Sequence, residues 1–171
     1  MRRALILHPD SRCTAVRDIA VEVTRSGAHG LVLHYAVRGA VDDIVWPAPS
    51  TPERADGLWK QTCFEAFVGT GDVGYAEFNF APSRLWAAYR FDNYRAGMSP
   101  LEGVTPRIET SRDPGCFELR AELAALAPGS LRLGLSAVIE EIGGAKSYWA
   151  LAHTPGAPDF HHPDSFVLET S

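Results

Sequence analysis

The sequence predicts an all-β chain, an antiparallel β-sandwich of about ten strands in two sheets. Apolar and polar residues alternate with a period of 2 in most segments, as strands with one buried face require. Turn signals recur roughly every 8 to 15 residues. No strand is followed by a helical crossover pattern, so nothing supports a parallel sheet built from βαβ units. A closed barrel of the lipocalin kind is the alternative architecture. The 171 residues suit one domain spanning 1–171, able to bury roughly two-thirds of its unfolded surface.

The amino end carries Arg2 and Arg3 but only four apolar residues, Ala4 to Leu7, before His8 and Pro9 interrupt them. That is too short for the apolar stretch of a secretory signal. No apolar run nears the roughly 20 residues that cross a bilayer as a helix, so a cytoplasmic protein without a membrane partner is expected. Residues 19–24 alternate strictly and 31–37 follow after Ser26-Gly27-Ala28-His29-Gly30, which reads as a hairpin. Pro47, Pro49 and Pro52 then remove backbone donors and mark a corner. Residues 62–68, 75–80 and 85–91 form a predicted meander. Further strands are predicted at 107–110, 116–123, 131–139, 148–152 and 166–168, with 121–127 open to one helical turn instead.

Composition narrows the chemistry. Hydrophobic residues make up 46% and charged residues 22% of the chain, values typical of globular proteins. Lys and Arg number 16 against 21 Asp and Glu, a formal charge of -5. No basic run tracks a phosphate backbone, so nucleic acid is not an expected partner. Cys13, Cys63 and Cys116 include no CxxC pair, so neither a disulfide framework nor a thiolate zinc site is supported. Gly69-Thr70-Gly71-Asp72-Val73-Gly74 fits G-x-G-x-x-G, yet a strand follows where a dinucleotide site needs a helix. A hairpin turn using glycine's freedom at positive φ is the plainer reading.

Alternation places Cys63, Glu65 and Phe67 on one face of their strand and Tyr75, Glu77 and Asn79 on one face of the next. A carboxylate buried without partners costs several kcal/mol. Glu65 and Glu77 therefore either reach solvent, pair with a cation such as Arg54, Lys60 or Arg90, or line a polar groove. Trp59, Trp86, Tyr89, Tyr94, Tyr148 and Trp149 fall near strand ends and loops, where flat rings with a polar edge suit stacking on a sugar. The tail 149–164 concentrates His and Asp among Pro and Gly, without a spacing that favours zinc. No cofactor is expected, the alternative being b-type haem held by Met98 with His153 or His161. Glu65 and Glu77 could also act as acid and base on a glycosidic bond. Ser136, His153 and Asp159 could be drawn as a triad, though no nucleophile-elbow motif accompanies them.

Several stretches carry a likeness. They are Arg54-Ala55-Asp56-Gly57-Leu58-Trp59-Lys60-Gln61-Thr62-Cys63-Phe64-Glu65-Ala66-Phe67, Tyr75-Ala76-Glu77-Phe78-Asn79-Phe80-Ala81-Pro82-Ser83, Trp86-Ala87-Ala88-Tyr89, Ser147-Tyr148-Trp149-Ala150-Leu151-Ala152-His153 and Pro158-Asp159-Phe160-His161-His162. Together they resemble the bacterial DOMON-like proteins, relatives of DOMON domains and of family 9 carbohydrate-binding modules. The resemblance runs from His8 to Phe166 and implies a β-sandwich with a ligand cleft, in a group whose relatives bind sugars or haem. It further implies that Trp59 and Glu65 contact ligand, with Asn79 and Trp149 as further contacts. The expected function is thus a non-catalytic module binding a saccharide or sugar-containing small molecule. Its expected site comprises Trp59, Glu65, Glu77, Asn79, Trp86, Tyr89, Trp149 and His153.

Overall fold

The computed structural model describes residues 1–69, 71 and 73–170. Thr70 and Asp72, and with them part of the glycine-rich turn, lie outside the described residues. Among the described residues, twelve antiparallel strands follow one another: β1 (Arg2–Leu7), β2 (Val16–Ser26), β3 (Gly30–Gly39), β4 (Cys63–Gly69), β5 (Tyr75–Phe80), β6 (Trp86–Phe91), β7 (Ser99–Pro100), β8 (Arg107–Asp113), β9 (Cys116–Leu123), β10 (Leu131–Glu140), β11 (Lys146–Ala150) and β12 (Leu168–Thr170). Short 3-10 turns occupy Val41–Asp43, Leu58–Lys60 and Pro163–Ser165.

The fold class is all-β, as the alternation predicts, but the two separate sheets of about ten strands are replaced by one continuous path. Its order is β7-β6-β5-β4-β10-β11-β1-β2-β3-β9-β8, with β12 added against β10. The junction is β1, whose Arg2 to Leu5 pair with β2 while Ile6 and Leu7 pair with Ala150 and Trp149 of β11. A strand shared in this way joins two halves that would otherwise be separate layers. The path ends on β7 and β8, so no closed barrel forms. Those edges are protected by Pro100, which cannot donate to a further strand, and by the charges of Arg107, Glu109, Arg112 and Asp113 on β8. Of residues 121–127, the helical turn considered from their alanines, 121–123 close β9 and 124–127 are irregular.

The sheet curls so that the apolar faces of its halves meet. Ile19, Val21 and Val23 of β2, Leu33, Tyr35 and Val37 of β3 and Leu119 of β9 share one core with Phe64 and Ala66 of β4, Phe78 of β5 and Leu133 and Leu135 of β10. Tyr35 crosses between the halves, its ring 5.0 Å from that of Phe64 and its hydroxyl donating to the Glu65 carbonyl at 2.8 Å. The Pro-rich segment makes the predicted corner. Trp46 anchors it by stacking on Phe117 at 3.8 Å and donating from Nε1 to the Val41 carbonyl at 2.7 Å.

The two halves differ in one respect that positions the site. Along β9 buried and partly exposed residues alternate, so one face meets water. In β4 every residue from Cys63 to Val68 is buried, and in β10 burial is unbroken from Leu133 to Ile139. The outer face of this half is therefore covered as well, by residues 54–61 and by the tail that follows β11. Beneath them lies a second cluster of Phe67, Tyr75, Ala87, Tyr89, Phe91 and Phe166, with Leu58 and Phe160 packed against it.

Candidate functional site

Strand register assembles a polar row on this covered outer face. Glu65 stands opposite Asn79 on one side and Ser136 on the other, and Asn79 stands opposite Ala87. One pair along, Glu77 lies between Phe67 and Tyr89. Glu65, Glu77 and Asn79 are only 3%, 6% and 1% exposed, so the alternative of solvated outer-face glutamates does not hold.

Their polar groups satisfy one another. Ser136 Oγ donates to Glu65 Oε2 at 3.2 Å, and Asn79 Nδ2 donates to Glu77 Oε1 at 2.7 Å. The Cys63 thiol faces Asn79 Oδ1 at 3.7 Å. His161 completes the row, with Nδ1 2.7 Å from the Tyr75 hydroxyl and Nε2 3.7 Å from Glu77 Oε2. The Tyr75 oxygen accepts from the Arg95 backbone N–H at 3.3 Å. This orientation favours a neutral imidazole that accepts from Tyr75 at Nδ1 and turns its Nε2 proton toward Glu77.

Burial sets the charge states. It pushes the Glu65 acid up to about 8, helped by the neighbouring Glu77 charge and opposed by the Ser136 hydrogen bond. Glu65 is thus largely protonated at neutral pH. The Glu77 acid is also raised by burial, against the Asn79 hydrogen bond and the Arg95 charge that favour its anion. Burial, reinforced by the Arg95 charge, pushes His161 down to about 4. The face consequently presents the Glu65 acid, which can donate, the Glu77 carboxyl, whose Oε1 accepts from Asn79, and an amide that does both.

The two covering segments are fixed from different sides. Asp56 accepts a hydrogen bond from the Tyr89 hydroxyl, which holds the 54–61 segment over β6. Trp59 stands at its crest, 54% exposed, with the Lys60 ammonium 5.9 Å from its ring centroid. On the tail, Asp159 accepts from Arg95 Nη2 at 2.8 Å and from the Tyr94 hydroxyl at 2.5 Å. Burial pushes the Asp159 acid up, but the hydrogen bonds from Tyr94 and Arg95 outweigh it and hold the group below its ordinary range. Gly134 of β10 lets the tail lie flat, since a Cβ there would sit 3.3 Å from the Ser165 carbonyl oxygen and 3.6 Å from the Phe166 ring. Gly134→Leu is expected to lift the tail at a cost of roughly 1–3 kcal/mol, read as a lower urea midpoint with faster amide exchange at 159–166.

Not every residue expected at the site is there. Tyr89 faces Glu77 as a wall of the row, and burial together with Asp56 raises its phenol. Trp86 and Trp149 lie on the opposite face, in the main core. Trp149 is set there by its register with Ala137 and Leu7, and its Nε1 donates to Ser147 Oγ at 3.0 Å. The ring of Trp86 is covered by the Arg54 guanidinium at 5.0 Å. These two tryptophans cannot roof the polar row, because the sheet itself stands between. The covering rings are instead Phe160, Phe166 and His161. His153 is at the far end of the face, with Nε2 2.8 Å from the Ile6 carbonyl and its ring edge-on to His8 at 4.8 Å.

The alternative chemistries find no common centre. Met98 is 61% exposed, while His161 and His153 are engaged by Tyr75 and Ile6. Neither of the two cavities below is lined by any of the three, so they do not fit an axial haem pair. Ser136 bonds Glu65, His153 bonds Ile6 and Asp159 bonds Tyr94 and Arg95, which separates the drawn triad. Glu65 and Glu77 stand side by side on one surface rather than across a cleft from each other, unlike the flanking carboxyls of glycosidases. Among the described residues no group of three or more His, Cys, Asp or Glu is placed to hold a metal ion.

Two cavities flank the face. One, of about 580 Å³, is lined by Tyr75, Arg90, Phe91 and Val104 among others. The other, of about 650 Å³, lies behind the 54–61 segment and is lined by Asp56, Lys60, Gln61, Ser83 and Glu140 among others. The polar row opens directly into neither.

No protein-family profile matches the chain, and no curated protein matches it. Solved structures do. A protein from Bacteroides uniformis ATCC 8492, whose name assigns it carbohydrate binding, superposes with a TM-score of 0.67 over 97% of this chain and 84% of its own, at 14% identity. A family 9 carbohydrate-binding module from Caldicellulosiruptor kristjanssonii, solved with cellotriose, gives a TM-score of 0.50 over 89% of this chain and 74% of its own, at 11% identity. At these identities the likeness is one of fold.

Proposed function

We propose that the protein is a non-catalytic saccharide-binding module that takes its ligand on the outer face of β4, β5 and β6. The observation that carries this reading is the polar row of Glu65, Glu77 and Asn79, on the face covered by the segment that presents an exposed Trp59. A sugar presents hydroxyls that both donate and accept, and the row offers both, through a protonated Glu65, the Glu77 carboxyl oxygens and the Asn79 amide. A ligand hydroxyl donating to Glu77 Oε2 takes the position now faced by His161 Nε2 at 3.7 Å, a spacing too long for a good hydrogen bond. Trp59 supplies the flat apolar surface on which a pyranose ring stacks. The fold shared with carbohydrate-binding structures supports this reading.

Isothermal titration with cellotriose tests it. Trp59→Ala is expected to weaken binding by about 1–3 kcal/mol. Glu77→Gln is expected to weaken it about tenfold, since a charge-assisted hydrogen bond is worth roughly 1.5–3 kcal/mol. Equal affinity in both variants and the parent would remove this face from the ligand site.

A further inference from the structure

Glu65, Glu77 and Asn79 are shut away from solvent, so a ligand reaches them only when something that covers them moves. Of the two covers, the 54–61 segment is tied to β6 through its backbone, the Ala55 N–H donating to the Trp86 carbonyl at 2.9 Å. The tail is not tied in this way. Between Ala150, which ends β11, and Leu168, which begins β12, the chain crosses the face without pairing to a strand. Among the described residues, the backbone hydrogen bonds donated by 152–166 stay within the segment, from Ser165 to His162 and from Phe166 to Pro163. Side-chain contacts hold this stretch down, and a segment without ladder hydrogen bonds opens at far lower cost than the strands beneath it.

The hold is uneven along the segment. Phe166 is buried against Phe67 and Tyr75, and Arg132 Nη2 donates to the Pro163 carbonyl at 3.4 Å, which anchors 163–166. Upstream, Pro155, Gly156 and Ala157 are exposed, and Gly156 takes a φ of 103° with open space where a Cβ would stand. Residues 155–162 thus have a pliant entry and an anchored exit. Asp159 closes them. Its Oδ1 accepts from Arg95 Nη2 at 2.8 Å and from the His161 N–H at 3.1 Å, and its Oδ2 accepts from the Tyr94 hydroxyl at 2.5 Å. The opposite jaw, residues 92–96, is held by its own hydrogen bonds, the Asp92 N–H donating to the Ala96 carbonyl at 3.0 Å and the Ala96 N–H to the Asn93 carbonyl at 3.1 Å. One carboxylate therefore joins the loop to a fixed turn and, through the His161 N–H, sets the imidazole over Glu77.

We propose that residues 155–162 are an autoinhibitory strap, latched by Asp159 onto Tyr94 and Arg95, that occludes the outer-face saccharide site on which this proposal rests. Ligand binds only the unlatched fraction of molecules, so the apparent affinity is the intrinsic one reduced by that fraction, and releasing the latch tightens binding. Asp159, Tyr94 and Arg95 act through the strap and not by touching the sugar.

Amide hydrogen exchange of the sugar-free chain and isothermal titration with cellotriose, run on the parent, Asp159→Asn and Tyr94→Phe, test the proposal. Asp159→Asn removes the ion pair. Tyr94→Phe removes one hydroxyl from an exposed side chain and leaves the fold intact. The expected result is faster exchange at 159–162 with β2 and β3 unchanged, and cellotriose affinity raised roughly three- to tenfold by Asp159→Asn and less by Tyr94→Phe. Arg95 is half exposed, so salt screens its pair with Asp159. Because the sugar is neutral, raising salt from about 0.05 to 0.5 M should tighten binding to the parent and leave Asp159→Asn unmoved. An aspartate that only supports the site would give weaker binding in the variant and no such salt response. Unchanged exchange at 159–162, or unchanged or weakened affinity in both folded variants, overturns the strap, while binding by the parent keeps the outer-face reading. Cellotriose binding by none of the three proteins overturns the outer-face reading, and the strap with it.

Discussion

Glu65→Gln is expected to make the protein more stable at pH 8 and above, and to remove most of the dependence of stability on alkaline pH. Burial on the covered outer face, with the neighbouring Glu77 charge adding to it, raises the Glu65 acid from an ordinary 4.5 to about 8. Between those values the folded state holds a proton that the unfolded chain releases, so stability falls as pH rises through that window. By linkage the full span amounts to about 5 kcal/mol. His161 acts with the opposite sign. Its imidazole falls from 6.5 to about 4 on folding, so the unfolded chain binds the extra proton and stability rises with pH across that range. The two effects oppose each other below about pH 6.5. Above it His161 falls silent and Glu65 dominates. Urea denaturation of the parent should therefore show stability declining by roughly 2 kcal/mol between pH 6.5 and 8. A glutamine keeps the shape and hydrogen bonding of the neutral acid, so the variant's curve should be nearly flat there. A parent curve that is flat or rising over that interval contradicts the burial assigned to Glu65.

Phe67→Ala is expected to cost about 3–5 kcal/mol, the range for emptying a buried aromatic site. Phe67 is the residue on which the covered face is built. Its ring meets His161 edge-on at 5.0 Å and Phe166 at 6.0 Å, and its strand position sets it between Glu77 and Gly134. Removing the ring leaves a void under the tail and withdraws the contact that keeps His161 aimed at Glu77. Amide exchange should accelerate first at 159–166, before the core strands β2 and β3, which never touch Phe67. Phe67→Leu refills most of the volume and should recover the larger part of the stability. A loss below about 1 kcal/mol for the alanine variant would mean that the tail does not pack on this face.

The alternation of β4 and β5 was enough to read Glu65 onto one face of its strand and Glu77 with Asn79 onto one face of the next, but that the two faces coincide follows only from the register that sets Glu65 opposite Asn79. The same rule could not say on which side of the sheet Trp86 and Trp149 fall. Both faces of this half are buried, so no exposed polar residue marks the solvent side along Trp86-Ala87-Ala88-Tyr89. β1 escaped for a related reason. Arg-Arg-Ala-Leu-Ile-Leu does not alternate, because the strand changes partners between Leu5 and Ile6 and only Leu5 is buried. Two residue pairs there convert two layers into one sheet, a feature too small to leave a pattern. His161 was visible only as one of several tail histidines. Its place between Tyr75 and Glu77 depends on a contact 86 residues apart in the chain, which local sequence does not encode.

The most direct measurement is a cellotriose titration of the ¹⁵N-labelled protein followed at the Trp59 indole and at the amides of Glu65, Glu77 and Asn79. These signals are expected to move together along one saturable isotherm, with the 159–162 amides following as His161 yields its place. Signals that stay still at saturating sugar, or that move only at residues remote from β4 and β5, would contradict it.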